Sequence, residues 1–223
     1  MKLNKKQKRT ATIASMAALL AVVLGMGGQT FAKYITTTTV PAQTATVAKW
    51  GVVTTVQGTN TTENTAFSKK YDNVESKTKF VVAPGTTGSL TFTVTGQPEV
   101  ASKVEFNMTV NKEVHLDGSY YPIQWTLKVG TEDAESYNSD RKQSMKALGG
   151  IKEAFDGLGG TYAAGDNLEQ TVVLTWLWDF DDDKKGTYDV QDTTLGNYAA
   201  TTTPDSSSVT LDFTLSLTVT QVD

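Results

Sequence analysis

Apolar and polar residues alternate along several stretches of the chain, and the longest of these lies near the C-terminus. From Val209 to Thr220, apolar side chains occupy every second position, and Thr, Ser or Asp occupy the positions between them. A period of two places one row of side chains on each face of a β-strand. Ser89 to Thr95 and Val104 to Val110 repeat the pattern. Each of the three stretches therefore predicts a strand with one buried face.

Weaker strand signals occur in four further segments, which are Val47 to Val56, Lys79 to Ala83, Ile123 to Val129 and Thr171 to Phe180. The last segment carries apolar residues on both faces, which predicts a central strand that is buried on both sides. Its tryptophans, Trp176 and Trp178, share one face because of the strand period. We interpret this pair as core residues in preference to a platform for a ligand.

One region of the chain has a helical period instead. Between Ser139 and Leu158, apolar residues recur every three or four positions in a stretch rich in Lys, Glu, Gln and Ala. This pattern predicts one or two short amphipathic helices, interrupted at Gly149 and Gly150. Many strands with one helical insertion predict an all-β fold, a two-sheet sandwich with one or two short helices inserted between strands.

Composition strengthens the prediction of sheet and removes several kinds of chemistry. The 223 residues include 37 Thr and 22 Val, whose branching at Cβ favours strands. The chain has no Cys and one His. A thiol nucleophile, a disulfide framework, a thiolate zinc site and a pair of His ligands are therefore excluded. We interpret His115 as a residue of a surface turn, because no Gly-x-Ser-x-Gly sequence accompanies it.

The first 32 residues differ from the rest of the chain. They carry five basic side chains and no acidic one, and an apolar run from Ala11 to Met26 is followed by Thr30-Phe31-Ala32. We predict that residues 1–32 are a secretory signal peptide cleaved between Ala32 and Lys33, and an uncleaved membrane anchor is the alternative. Cleavage would leave 15 basic and 24 acidic side chains, a net charge of −9. This charge argues against nucleic acid as a partner, and membrane contact is expected only through the signal peptide.

The segment after the predicted cleavage site carries the strongest functional signal. Its residues are Lys33, Tyr34, Ile35, Thr36, Thr37, Thr38, Thr39 and Val40. The segment has high β propensity and no hairpin partner of its own. It could add as a donor strand to the free edge of another sheet. It could equally fold back as an edge strand of its own domain or stay a flexible tail.

Acidic residues cluster after the strand that contains the tryptophans. The candidate metal ligands in this cluster are Asp179, Asp181, Asp183 and Asp189, and Asp182 and Asp192 lie beside them. Ca²⁺ takes several oxygen ligands from flexible loops, but the Gly and Glu positions of an EF-hand loop are missing here. We favour a solvated loop and expect no cofactor, with Ca²⁺ as the alternative.

A series of short motifs resembles motifs of the TasA/camelysin family. Members of this family are secreted proteins of Gram-positive bacteria with SipW-type signal peptides. The motifs are Gly27-Gly28-Gln29-Thr30-Phe31-Ala32-Lys33-Tyr34, Ala48-Lys49-Trp50-Gly51, Val82-Ala83-Pro84-Gly85-Thr86-Thr87-Gly88, Tyr120-Tyr121-Pro122-Ile123, Trp176-Leu177-Trp178-Asp179-Phe180 and Asp192-Thr193-Thr194-Leu195-Gly196-Asn197. The resemblance implies that residues 33–223 form a single jelly-roll domain. It also implies fibres of the biofilm matrix, in which the N-terminal strand of one subunit completes the sheet of the next.

The expected function is therefore that of a secreted, non-enzymatic fibre subunit, extracellular or at the cell surface. Its expected partners are copies of itself, a SipW-type signal peptidase and an accessory assembly protein. Two alternatives stay open, a camelysin-like surface metalloprotease and a monomeric β-sandwich adhesin. The protease alternative lacks a His-Glu-x-x-His sequence, and a single His cannot supply two imidazole ligands.

Overall fold

Strands distant in sequence pair into two antiparallel sheets in the computed structural model, which describes residues 35–39, 45–47, 51–72, 74–77, 79–147, 149–179, 188–201 and 209–222. The described strands are β1 (Ile35–Thr39), β2 (Ala45–Val47), β3 (Val52–Gly58), β4 (Thr86–Gly96), β5 (Ser102–Lys112), β6 (Gln124–Val129), β7 (Glu135–Tyr137), β8 (Gly159–Tyr162), β9 (Leu168–Trp178) and β10 (Asp212–Gln221). The helices are α1 (Ile151–Asp156) and α2 (Asp189–Thr201). All of them belong to the compact unit Tyr34–Val222.

The smaller sheet has the order β1-β10-β5-β8, and the larger sheet has the order β2-β3-β4-β9-β6-β7. Apolar rows from both sheets meet in one core, because every second residue of β4, β5 and β10 is buried. The predicted all-β, two-sheet sandwich with one or two short helices is confirmed. Within the described residues, neither helix is long and apolar enough to cross a membrane.

Three phenylalanines at the centre of the core connect the two sheets to α1. Phe92 of β4, Phe106 of β5 and Phe155 of α1 pack edge to face, with ring centroids 5.5 to 6.2 Å apart. Such aromatic pairs contribute about 0.5–1.5 kcal/mol each beyond the burial of their area. The helix is therefore fixed to the core of the sandwich by its apolar face.

The long connection between β3 and β4 is held against the sandwich by the first tryptophan of β9. The indole N–H of Trp176 donates to the carbonyl oxygen of Ala66 at 3.0 Å. This contact passes over Gly88, where an added Cβ would lie 1.8 Å from the Ala66 carbonyl oxygen. Glycine is therefore required at position 88 by the close approach of the loop backbone. Trp176 and Trp178 are both buried, as predicted.

The strand predictions differ from the structure at three places. Val47 to Val56 is not one strand, because it contains the end of β2 and most of β3, which pair antiparallel with Val47 opposite Val52. Lys79 to Ala83 forms no strand and contributes a single bridge, between Val81 and Ser68. β9 lies in the middle of the larger sheet, as predicted, but only one of its faces is buried. On the other face Thr175 is partly exposed and Leu177 is 38% exposed. Among the described residues, no other element covers that face, although it carries apolar residues.

The helical prediction was partly wrong. Within Ser139 to Leu158, only the six residues of α1 are helical, and residues 139–147 form turns and irregular backbone. The helix α2, in contrast, was not predicted. Its sequence contains Thr, Gly and Asn, which are weak helix formers, and Leu195 is its one buried residue. Contacts outside the helix must therefore hold α2 in place.

Candidate functional site

The segment predicted to act as a donor strand forms the edge strand β1 of its own domain. β1 pairs antiparallel with β10 along all five of its residues, with Thr37 opposite Thr218. These two residues are 181 positions apart in sequence, and their hydroxyl oxygens lie 3.3 Å apart. Of the alternatives that the sequence left open, the structure shows the one in which the segment folds back.

β1 lies in a defined register beside the buried row of β10. Thr36 and Thr38 take the positions opposite Val219 and Leu217, which have no exposed surface. In an antiparallel ladder, the bonds between strands are made by backbone groups that nearly every residue carries. An extended segment from another copy of this chain that met the same register would pair with β10 in the same way.

Other sheet edges in the described part of the chain are short or covered. β2 and β7 have three residues each, and β8 has four. The backbone N–H of Met108 in β5 donates to a carboxylate oxygen of Asp156 in α1 at 2.6 Å. Short edge strands and side chains that cover an edge prevent unwanted strand pairing. β10, with ten residues, would become a long free edge if β1 left it.

Several of the predicted site residues lie outside the described residues. They are the cleavage-site residues Ala32 and Lys33, the ends of the predicted donor strand at Tyr34 and Val40, and two of the metal candidates, Asp181 and Asp183. Of the other metal candidates, Asp189 is exposed in the first turn of α2, and Asp179 lies beside Arg141. Among the described residues, no three His, Asp or Glu side chains are grouped to hold a metal ion.

A buried arginine is the centre of a polar site at the start of α2. Arg141 is 2% exposed, and its guanidinium lies 3.7 Å from the carboxylate of Asp192. Its Nη1 donates to the hydroxyl oxygen of Tyr120 at 3.2 Å, and the group lies 4.6 Å from the ring centre of Tyr188. We refer to Tyr120, Arg141, Trp178, Tyr188 and Asp192 as the Arg141 cluster.

Asp192 is the main acceptor of the Arg141 cluster. One of its carboxylate oxygens accepts from the Tyr120 hydroxyl at 2.5 Å and from the indole N–H of Trp178 at 3.0 Å. Burial raises the pKa of the Asp192 carboxyl, although the hydrogen bonds from Tyr120 and Trp178 and the charge of Arg141 oppose that rise. Burial and the hydrogen bond to Asp192 also raise the pKa of Tyr120, so its hydroxyl stays a donor.

The members of the Arg141 cluster come from four different parts of the chain. Tyr120 follows β5, Arg141 follows β7, Trp178 ends β9, and Tyr188 and Asp192 lie at the start of α2. Arg141 has φ of 54°, a left-handed conformation that is uncommon for residues other than glycine. Its carbonyl oxygen accepts the backbone N–H of Tyr121 at 2.8 Å. The cluster therefore fixes α2 to two loops and to the end of the central strand.

Arg141 was not predicted as a site residue, because it lies in the stretch that was interpreted as a helix. Tyr120 and Asp192 both belong to motifs noted above, but nothing local indicates that they meet 72 positions apart. The one sequence signal that could have indicated the Arg141 cluster is an arginine between a Tyr-Tyr-Pro turn and a group of aspartates. No family model, curated protein or solved structure matches the chain.

Proposed function

We propose that the chain is a secreted structural subunit that assembles into extracellular surface or biofilm-matrix fibres by exchange of its N-terminal strand between copies. The observation that carries this proposal is the pairing of β1 with β10 at the edge of the smaller sheet. Exchange of such an element between copies replaces each contact by an identical one, so its equilibrium cost is low. A second copy is therefore the partner that best fits the edge of β10.

The position of β1 in the chain also favours exchange. β1 belongs to the smaller sheet and β2 to the larger one, and residues 40–44 connect them. The pairing of β2 with β3 can therefore persist while only the residues before Ala45 move. Five extended residues span at most about 18 Å. The acceptor β10 of the next copy must then lie close to β2 of the donor.

The resemblance to the TasA/camelysin family supplies the cellular part of the proposal. Cleavage between Ala32 and Lys33 by a SipW-type signal peptidase would give the donor strand a free N-terminus. The strand could then leave one copy and pair with the next at the cell surface, with the help of an accessory assembly protein. The role proposed for this chain is structural and not enzymatic.

The first experiment compares two forms of the processed protein. One begins at Lys33, and the other lacks residues 33–40. We expect the first form to build fibres that are visible by electron microscopy and the second to remain monomeric by size-exclusion chromatography. Equal fibres from both forms would show that this strand is not the assembling element.

A disulfide lock tests the exchange itself. The chain has no cysteine, so Thr37→Cys with Thr218→Cys introduces a single pair at directly opposed positions whose hydroxyl oxygens are 3.3 Å apart. The oxidised variant should stay monomeric, and reduction should restore assembly. Each single substitution, alone, controls for the loss of the threonine. Fibre growth from the oxidised variant would contradict strand exchange.

A further inference from the structure

A groove on the outer face of the larger sheet lies away from β1 and β10. It is at the corner formed by β6, β7 and β9 and encloses about 490 Å³, part of it open to solvent. Its main lining residues are Thr87, Gln124, Thr126, Ser136, Thr175 and Leu177. The groove therefore lies over the face of β9 that was predicted to be buried and is partly exposed in the structure.

A row of hydroxyl groups crosses the sheet at this groove. Ser136, Thr126, Thr175 and Ser89 are successive partners across β7, β6, β9 and β4. Adjacent strands are about 4.8 Å apart, so hydroxyl-bearing residues recur at intervals close to the length of one sugar ring. The row continues beyond β4, where the hydroxyl oxygen of Thr59 lies 3.3 Å from that of Ser89.

The groove carries no formal charge, although one residue in five of the chain is charged. Tyr137 also lines it, and burial together with a hydrogen bond to Glu135 raises the pKa of Tyr137 to about 12, so this hydroxyl stays neutral. A phosphate, a nucleic acid or an acidic peptide would find no cation among the lining residues to pair with it. The occupant that matches this lining is itself uncharged.

An apolar side chain interrupts the polar lining. Leu177 is 38% exposed and lies between Thr87 and Gln124 in the register of β4, β9 and β6. Hydroxyl and amide groups beside an exposed apolar patch match the two sides of a pyranose ring, which has hydroxyls at its rim and C–H groups on its face.

We propose that this groove binds a segment of a neutral polysaccharide. The sugar hydroxyls would exchange hydrogen bonds with the row from Ser136 to Ser89, and the C–H face of one ring would pack on Leu177. This inference does not depend on the proposed strand exchange, because β1 and β10 belong to the other sheet. A monomer would bind the same ligand.

The test uses the processed protein with the oxidised Thr37→Cys, Thr218→Cys pair, which keeps it monomeric for solution measurements. Three uncharged hexasaccharides, cellohexaose, maltohexaose and mannohexaose, are titrated one at a time and followed by amide chemical shifts. We expect saturable shifts for at least one sugar, confined to β6, β7, β9 and the start of β4. Thr175→Lys, which places a cation in the middle of the row, should weaken that binding about tenfold. The matched control is Thr93→Lys in β4, on the same face of the larger sheet as Thr175 and also partly exposed, but outside the lining of the groove.

A second variant tests the same groove if Thr175→Lys does not fold. Leu177→Ala removes the apolar contact without adding charge and should weaken binding several-fold. Three results would overturn the proposal. They are no saturable shift with any of the three sugars, equal binding by the groove variants and by Thr93→Lys, or groove shifts that follow protein concentration in the absence of sugar. The last result would assign the groove to a second copy of the chain.

Discussion

β1 and α2 are both peripheral elements of the sandwich, but they are attached by opposite means. β1 pairs with β10 through the backbone register of five residues, and its side-chain contact at Thr37 is made at the surface. α2 is attached through the side chains of the Arg141 cluster and through Leu195, which is buried. β1 is therefore attached by a series of equivalent backbone pairings, and α2 is attached by side chains that differ from one another in chemistry.

This difference decides which element can be exchanged between copies. A ladder of backbone bonds can be rebuilt with any strand of suitable register, because the donors and acceptors recur at every residue. A buried ionic cluster loses its compensation as soon as one partner leaves, since an unpaired buried charge is strongly destabilising. We therefore expect β1 to leave the domain without disturbing the Arg141 cluster, and α2 to stay.

The largest expected effect is that of removing the buried cation. Arg141→Ala leaves the carboxylate of Asp192 without its ion pair, and the removal of one partner of a buried pair costs about 3–5 kcal/mol. Urea denaturation should show this loss in the free energy of unfolding. The matched control is Lys142→Ala, at the next position, where the side chain is exposed. A loss below about 1 kcal/mol would show that the cluster does not anchor the fold.

The next effect concerns one hydrogen bond of the same cluster. Tyr120→Phe removes the donor that lies 2.5 Å from Asp192 and keeps the ring that stacks on Tyr188. Hydrogen bonds to charged groups contribute about 1.5–3 kcal/mol. Urea denaturation should show a loss of that size in the free energy of unfolding. Amide hydrogen exchange, measured on the same variant, should become faster in α2 and stay unchanged in β1. Faster exchange in both elements would mean that their attachments are coupled, which would break the comparison.

The parts of the fold that were predicted from the sequence are those with a local period. β4, β5 and β10 begin and end within three residues of the alternating stretches, because the burial of one face imposes that alternation on the sequence itself. α1 was found only in outline. Its six residues are too few to separate from the turns before it, which share apolar residues at helical spacing.

The parts that were missed depend on contacts between distant residues. α2 has no apolar stripe, and its position follows from Asp192 meeting Tyr120 and Arg141. For β1, strand character was predicted over Lys33 to Val40, but the pairing was left open, since a free β10 edge in the same copy and one in a neighbour present the same backbone groups. Local sequence cannot distinguish these two acceptors.

A smaller effect is the pH dependence that Asp192 contributes. Burial raises its pKa in the folded state above its ordinary value of 3.8, so the folded protein holds this proton to higher pH than the unfolded chain does. The stability of the wild type relative to Asp192→Asn should therefore be greatest below about pH 3.8 and fall as the pH rises through the raised pKa. Urea denaturation of both proteins from about pH 3 to about pH 7 measures the difference.

The neighbouring groups Tyr120, Arg141, Asp179 and Asp189 are present in both proteins, so the difference between the two proteins reports on Asp192. The opposite slope, with the wild type gaining stability as the pH rises, would mean that the ion pair with Arg141 outweighs burial. The Arg141 cluster would then be an electrostatic anchor with a lowered Asp192 pKa. The predicted slope instead means that the ion pair with Arg141 and the hydrogen bonds to Asp192 do not fully offset the burial of the carboxylate.

The smallest effect is expected at β1 and is informative because it is small. Thr37 is exposed, and its side chain meets the Thr218 hydroxyl at the surface, so Thr37→Ala should change the free energy of unfolding by no more than about 0.5 kcal/mol. Neighbouring residues of an edge strand point their N–H groups to opposite sides, so Thr37→Pro combined with Thr38→Pro removes one N–H that faces β10. This double variant should weaken the strand and its assembly far more. If Thr37→Ala proved as damaging as the double proline variant, side chains and not the backbone would hold β1. A strand held in that way would be specific to its own copy, and the reason for expecting exchange at this edge would disappear.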